Sequence, residues 1–260
     1  MGLPDGAGAR WIDPGDDGGT AIRALNASPL IRQPTAPSDG LVPVSDLDLS
    51  AITLLFRRVF SENIICSLGQ RFVDELLGSY VRAPGSCGYV FIDNGDVAGF
   101  VLGVEDSRDH RRWVLARLTA RLAVCVLRAM IVSPRLLAPV VRYLGTYAPS
   151  LSILNPLRPS EPDSARVPPA SLVYLAVAPE QRRRGIAATL TSAFLVEMAR
   201  RGVDQVKLVV TTTNEPAVNF YLTHEWQIAG RYPVSEGRWA YRMIYNLAET
   251  DCYSRQSTLT

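Results

Sequence analysis

The chain has 260 residues, 47% of them hydrophobic, and 27 basic against 25 acidic side chains leave a net charge of +2. That length holds one large domain, or one ordinary domain with extensions, and the near balance of charge argues against a chain-wide footprint for nucleic acid. Cys66, Cys87, Cys125 and Cys252 form no Cys-x-x-Cys pair and have only His110 and His224 as imidazole partners, so they read as reduced thiols of a cytoplasmic protein, with no metal site.

Residues 1–40 are rich in Gly, Pro, Asp and Ala, lack the basic start and apolar stretch of a secretory signal, and read as a disordered leader. Leu41 to Val44 is a short first strand. Asp46 or Asp48 is placed to cap a helix running to about Phe60, with Ile52, Leu55, Phe56 and Val59 on one face, and a second helix covers Leu68 to Val81. The apolar runs Gly88–Ile92 and Val97–Val104 meet through Asp93-Asn94-Gly95-Asp96. Asn-Gly accepts positive φ at both central positions, so this is a two-residue hairpin.

The segment from His110 to Ser160 has eight arginines and no Asp or Glu. Arg117, Arg121 and Arg128 fall on one stripe of a helix over Trp113–Val132, Pro134 ends it, and a second helical piece runs from Arg135 to Leu144. The arginines interrupt the roughly 20-residue apolar run that a membrane span needs. Three readings stand for this helical insertion, about 106–170. It packs on the sheet or on a second copy as a homodimer, it lies peripherally on an anionic membrane at the inner face, or it lids an acceptor. Packing ranks first and membrane contact close behind.

The chain then continues with a strand over Ser171–Val177, a proline stop at Pro179, and an arginine-rich turn. A helix from Gly185 to Arg201 follows and stops at Gly202. Gln205–Val210 is a strand, Pro216 sits in the first turn of a short helix ending near Thr223, and Gln227–Tyr232 with Trp239–Leu247 close an antiparallel pair. The tail from Ala248, 248–260, is frayed. The turn Arg182-Arg183-Arg184-Gly185-Ile186-Ala187 is an anion site in outline, because the first amides of a helix lack partners and carry partial positive charge. Alone, the same pattern fits an ordinary strand-turn-helix connection.

Those six residues resemble the pyrophosphate loop, Arg/Gln-x-x-Gly-x-Gly/Ala, of the GNAT superfamily of N-acetyltransferases, and Asn214 to Tyr221 resembles the family's next segment, in which Asn opens a helix that a Phe/Leu-Tyr pair ends. The resemblance implies an α/β (α+β) fold with a mixed, mostly antiparallel central sheet flanked by helices, over 41–247. The extra basic helical insertion has no counterpart in a minimal member. The resemblance implies acetyl-CoA as co-substrate and a primary amine as acceptor; an amino sugar or nucleotide-linked amino sugar is the favoured small molecule, and a small amine, an antibiotic or a protein amino group stays open. A non-catalytic acyl-CoA-binding or membrane-associated scaffolding module is the alternative.

By the same resemblance, the backbone of Ala176 and Val177 pairs with the pantetheine arm, the Val177 amide polarises the acetyl carbonyl, Arg182 to Ala187 hold the phosphates, and Asn214, which opens the later helix, also binds the cofactor. Tyr221 is the general acid, while Phe220 plugs the core. The general base stays open among Glu105, Asp106, Tyr174 and ordered water, and His224 reads as a capping or surface residue. Two departures matter. Arg183 stands where a glycine is common, which the backbone tolerates if its φ stays negative, and His224-Glu225-Trp226 replaces a Gly-Phe pair.

Overall fold

The structure is a computed structural model and describes residues 40–61, 63–117, 121, 124–126, 128, 169–235 and 237–247. The leader up to Asp39, the Arg135–Leu144 helix and the tail from Ala248 lie outside them. The chain divides into two compact units. One holds the described residues up to Val206 together with Leu247, and the other runs from Lys207 to Asn246.

In the first unit, β1 (Leu41–Pro43), β2 (Ser86–Asp93), β3 (Asp96–Val104) and β4 (Ala170–Val177) lie in that order, each antiparallel to the next. The hairpin between β2 and β3 turns on Asn94 and Gly95 at φ 53° and 86°, so both central residues are left-handed, as a type I′ turn requires. Helices α1 (Leu49–Val59), α2 (Ile64–Ser67), α3 (Gln70–Arg82), α4 (Ser107–Arg117) and α5 (Ile186–Arg200) belong to this unit.

Alternation along β3 decides which helix covers which face. Phe100 and Leu102 join Val90 and Ala176 in one core with Ile52, Leu55 and Phe56 of α1 and Val73 and Leu77 of α3. Gly99 and Gly103 face α5. A Cβ on Gly103 would lie 2.5 Å from the Phe194 ring and 2.4 Å from the Ser171 carbonyl oxygen, and one on Gly99 would meet Ile186 and Leu190 at 3.1 Å. Only glycine lets α5 come this close to the strand, which fixes where α5 begins.

The cap of the first helix differs in detail from the expectation. A single 3-10 turn, Asp46–Asp48, precedes α1, and Ser45 opens it: its amide and hydroxyl both donate to Asp48 Oδ2, at 2.8 and 2.7 Å. Asp48 therefore acts as the acidic half of a capping box. The basic helix starts six residues earlier than expected, at Ser107, because Asp106 accepts the Arg108 amide at 2.6 Å and opens it. Arg117, Arg121 and Arg128 are exposed, Arg117 lying over the Trp113 ring and Arg121 reaching Glu75 at 3.6 Å. No helix among the described residues is long and apolar enough to cross a membrane.

In the second unit the strand order is β5 (Gln205–Thr211, here from Lys207), β7 (Arg238–Asn246), β6 (Gln227–Ser235), with β6 and β7 antiparallel and α6 (Glu215–Thr223) between β5 and β6 in sequence. The fold is thus α+β as expected, with seven strands paired mostly antiparallel and helices flanking them.

Candidate active site

Strand β4 ends at Val177 and a 3-10 turn, Pro179–Gln181, carries the chain to the arginine loop. Register fixes what the last strand residues offer. Ala178 N–H bonds to Ala98 O at 2.8 Å, and Gly99 pairs with Val177 and Phe100 with Ala176. Antiparallel pairs alternate, so the Ala176 amide and carbonyl face β3 while those of Val177 face the opposite edge of β4. This corrects the expectation for Ala176, whose backbone groups serve the sheet. The Val177 carbonyl accepts Arg182 Nε at 3.3 Å.

The loop departs from the expected conformation at Arg183. Its φ is +62°, where a negative value was the condition for replacing glycine, and Gly185 follows at φ +81°. A non-glycine residue in this region costs roughly 1–2 kcal/mol. The reason for tolerating it is the path: left-handed residues at 183 and 185, alternating with Arg184 at negative φ, make the kind of nest that turns successive amides to one side. Among the described residues, no acceptor takes the amides of Arg183, Arg184, Gly185, Ile186 or Ala187. Ile186 is buried against the sheet, so α5 is anchored while its first turn stays open.

The three arginines do different things. Arg184 is bound to the β2 carboxylate of Asp93, at 2.9 and 3.5 Å, and to the Gln181 side chain, and the guanidinium holds Asp93 below the usual carboxylate range. Arg182 is turned back onto Val177. Arg183 has no partner among the described residues and is exposed. Of the three, Arg184 is held by a carboxylate, Arg182 spends Nε on a carbonyl and has no carboxylate partner among the described residues, and Arg183 makes no hydrogen bond among them. Next to the loop, Glu180 takes both arms of Arg58 from α1, at 2.8 and 2.9 Å.

Asn214 opens α6 as expected, its side chain accepting the Ala217 amide at 3.3 Å. Helical phase reverses part of the expectation for the Phe-Tyr pair. Tyr221 is the buried member at 7% exposure, packed edge-on to Phe220 and Trp226, whereas Phe220 is only half-buried and lies against His224. Burial raises the Tyr221 phenol well above its ordinary value, so it stays protonated at neutral pH. The turn after it works without a glycine because Glu225 adopts φ +67°, and Trp226 fills the apolar position. His224 caps the helix, its Nδ1–H donating to the Phe220 carbonyl at 2.7 Å.

A second cluster went unread in the sequence. Phe56 of α1 and Phe60 just after it, Tyr80 of α3, His110 of α4 and Tyr174 of β4 form a connected aromatic wall, with Tyr80 stacked on His110 at 4.4 Å and edge-on to Tyr174 at 5.5 Å. Burial pushes the Tyr80 phenol up to about 12 and the imidazole of His110 down to about 4. Ser79 donates its hydroxyl to Leu76 O at 2.6 Å, so its oxygen receives Nε2–H of His110 at 3.3 Å. That tautomer leaves Nδ1 as a bare acceptor, buried and unpartnered among the described residues. Only the tertiary packing of four elements identifies this group. The sequence signal was a lone histidine. Asp106 caps α4 and Glu105 pairs with Arg201 at 3.6 Å, so both carboxylates among the base candidates have structural partners.

Residues 153–225 match the family model for the acetyltransferase (GNAT) family, a span that takes in β4, the arginine loop, α5, Asn214 and Tyr221. That stretch is similar to a GNAT acetyltransferase domain. Acetyl transfer is the chemistry that such a domain supports. The chain is also similar to the ribosomal-protein-S18-alanine N-acetyltransferase from Escherichia coli, with 15% identity over 80% of this chain and 92% of that one and a TM-score of 0.47. Ard1 from Thermoplasma volcanium gives 18% identity over 79% and 95% with a TM-score of 0.48, and aminoglycoside 6'-acetyltransferase type Ii gives 12% over 80% and 96%, also at 0.48. No curated protein sequence matches the chain.

Proposed function

We propose that this protein is an acetyl-CoA-dependent N-acetyltransferase that acts on a small primary amine, an amino sugar being the favoured class, with Tyr221 as general acid. The family match over 153–225 carries the reading, because it takes in both the phosphate-type loop and the tyrosine. The unclaimed amides from Arg183 to Ala187 and the exposed Arg183 guanidinium suit a pyrophosphate, which needs several converging donors and positive charge. When bound, acetyl-CoA supplies the thioester whose acetyl group is transferred.

In this scheme the neutral amine attacks the thioester carbonyl and forms a C–N bond. The carbonyl oxygen gains negative charge, for which the Val177 amide, facing away from β3, is the candidate donor. The C–S bond breaks, the Tyr221 phenol protonates the departing thiolate, and the nitrogen gives up a proton to a base or to water. Burial keeps the Tyr221 phenol protonated before the step and at the same time makes it a weaker donor than an exposed phenol, so the role rests on the family match and on the Tyr221→Phe comparison.

The test is thiol release from acetyl-CoA over a panel of amino sugars, small amines and peptides, beside the Tyr221→Phe variant. We expect turnover with small amines and a kcat roughly 10²-fold lower in the variant. Acetyl-CoA binding without turnover on any amine overturns the reading in favour of a non-catalytic binding module. Equal turnover by the variant across pH removes Tyr221 from the mechanism.

A further inference from the structure

The charged residues around the arginine loop are arranged as a clamp, and the geometry points to Arg184 and Asp93 as positioning residues for the cofactor loop. This inference rests on the reading of that loop as the acetyl-CoA phosphate site. Arg184 lies inside the motif that resembles a phosphate-binding loop, yet its guanidinium is spent on Asp93 at the end of β2 and on Gln181 in the turn before the loop. Asp93 is only 19% exposed at its side chain, so the pair is closed on the acidic side. One residue before Gln181, Glu180 is held by both arms of Arg58 from α1.

The segment from Glu180 to Arg184 is therefore tethered at one end to the helix layer and at the other to the β2–β3 hairpin. Between the tethers lies Arg183, a non-glycine residue in the left-handed region. Conformations of that kind persist when their surroundings over-determine them. The two ion pairs, with Arg182 turned back on the Val177 carbonyl, supply that determination. Division of labour follows from the same contacts: Arg183 is the side chain that reaches the ligand, and Arg184 acts through the position of the loop. A sequence motif treats the arginines as equivalent, but among the described residues only Arg183 is without a hydrogen-bond partner.

Exchange of charge tests this, because a positioning pair works in either orientation and a phosphate ligand does not. Binding of acetyl-CoA is measured by titration calorimetry for the wild type, Asp93→Asn, Arg184→Gln, the exchange Asp93→Arg with Arg184→Asp, and Arg183→Gln, with melting curves to confirm folding. We expect Asp93→Asn and Arg184→Gln to weaken binding by a similar factor, about fivefold, and to raise KM while kcat at saturation holds. The exchange is expected to recover most of that loss.

A loss at Arg184→Gln with no change at Asp93→Asn and no recovery in the exchange overturns the inference and makes Arg184 a direct phosphate ligand. Unchanged binding in both single variants overturns it as well. If the exchange fails to fold, the conservative Asp93→Glu and Arg184→Lys variants decide between the same outcomes. Equal weakening by both supports positioning, and weakening by Arg184→Lys alone opposes it. Failure of wild-type protein to bind acetyl-CoA at all strikes the functional reading itself, and is separated from failure of the clamp by that first titration.

Discussion

One strand, β4, borders two regions of opposite character. Tyr174 and Ala176 look onto a wall of Phe56, Phe60, Tyr80 and His110 that is aromatic, largely buried and held neutral by that burial. Three residues beyond Tyr174, Val177 leads into a loop that is exposed, charged and strained, and whose order comes from ion pairs. The difference teaches how a strand end can be rigid on one side and ligand-ready on the other. Apolar burial gives energy without direction, while charge pairs at the surface give direction with little net energy.

That contrast predicts unequal responses. The largest belongs to the wall: Phe56→Ala should lower stability by about 3–5 kcal/mol, since the ring is fully buried and its neighbours come from several elements, and urea unfolding monitored by circular dichroism measures it. A loss under about 1 kcal/mol would mean that the wall is not part of the core.

The next effect comes from His110. Its proton affinity drops on folding, so between pH 6.5 and about 4 the unfolded chain binds a proton that the folded chain refuses. Stability therefore falls as pH is lowered through that window, by at most about 3 kcal/mol, and this contribution levels off below about 4. Urea midpoints across the window, compared with His110→Gln, isolate the slope. An identical slope in the variant would assign the pH dependence to other groups.

The smallest effect belongs to the loop. Glu180→Gln should leave the urea midpoint unchanged, because the pair with Arg58 is exposed at both ends, 57% and 51%. A shift approaching that of Phe56→Ala would show that the loop is part of the core and erase the contrast.

Much of this molecule was legible as pattern. The Asn94-Gly95 turn, the apolar face of α1 and the cap role of Asn214 each follow from chemistry within a few residues, so nothing distant had to be known. The expected negative φ at Arg183 failed for a reason that is not local. An arginine avoids the left-handed region by itself, and it is held there by Asp93 and Arg58, which lie 90 and 125 positions away in the chain. The inverted burial of Phe220 and Tyr221 is similar, since the direction of α6 relative to Trp226 sets which ring goes inward.

The sequence by itself determined the elements of this protein and the order of its motifs, because hairpin turns, caps and alternation act over short spans where backbone sterics dominate. Tertiary structure alone decided which of three adjacent arginines stays free, which edge of β4 the Val177 amide faces, and that His110 sits neutral against Tyr80. Those outcomes depend on register, burial and partners brought in from distant strands and helices, and the same residue types in another packing would have shared the work differently.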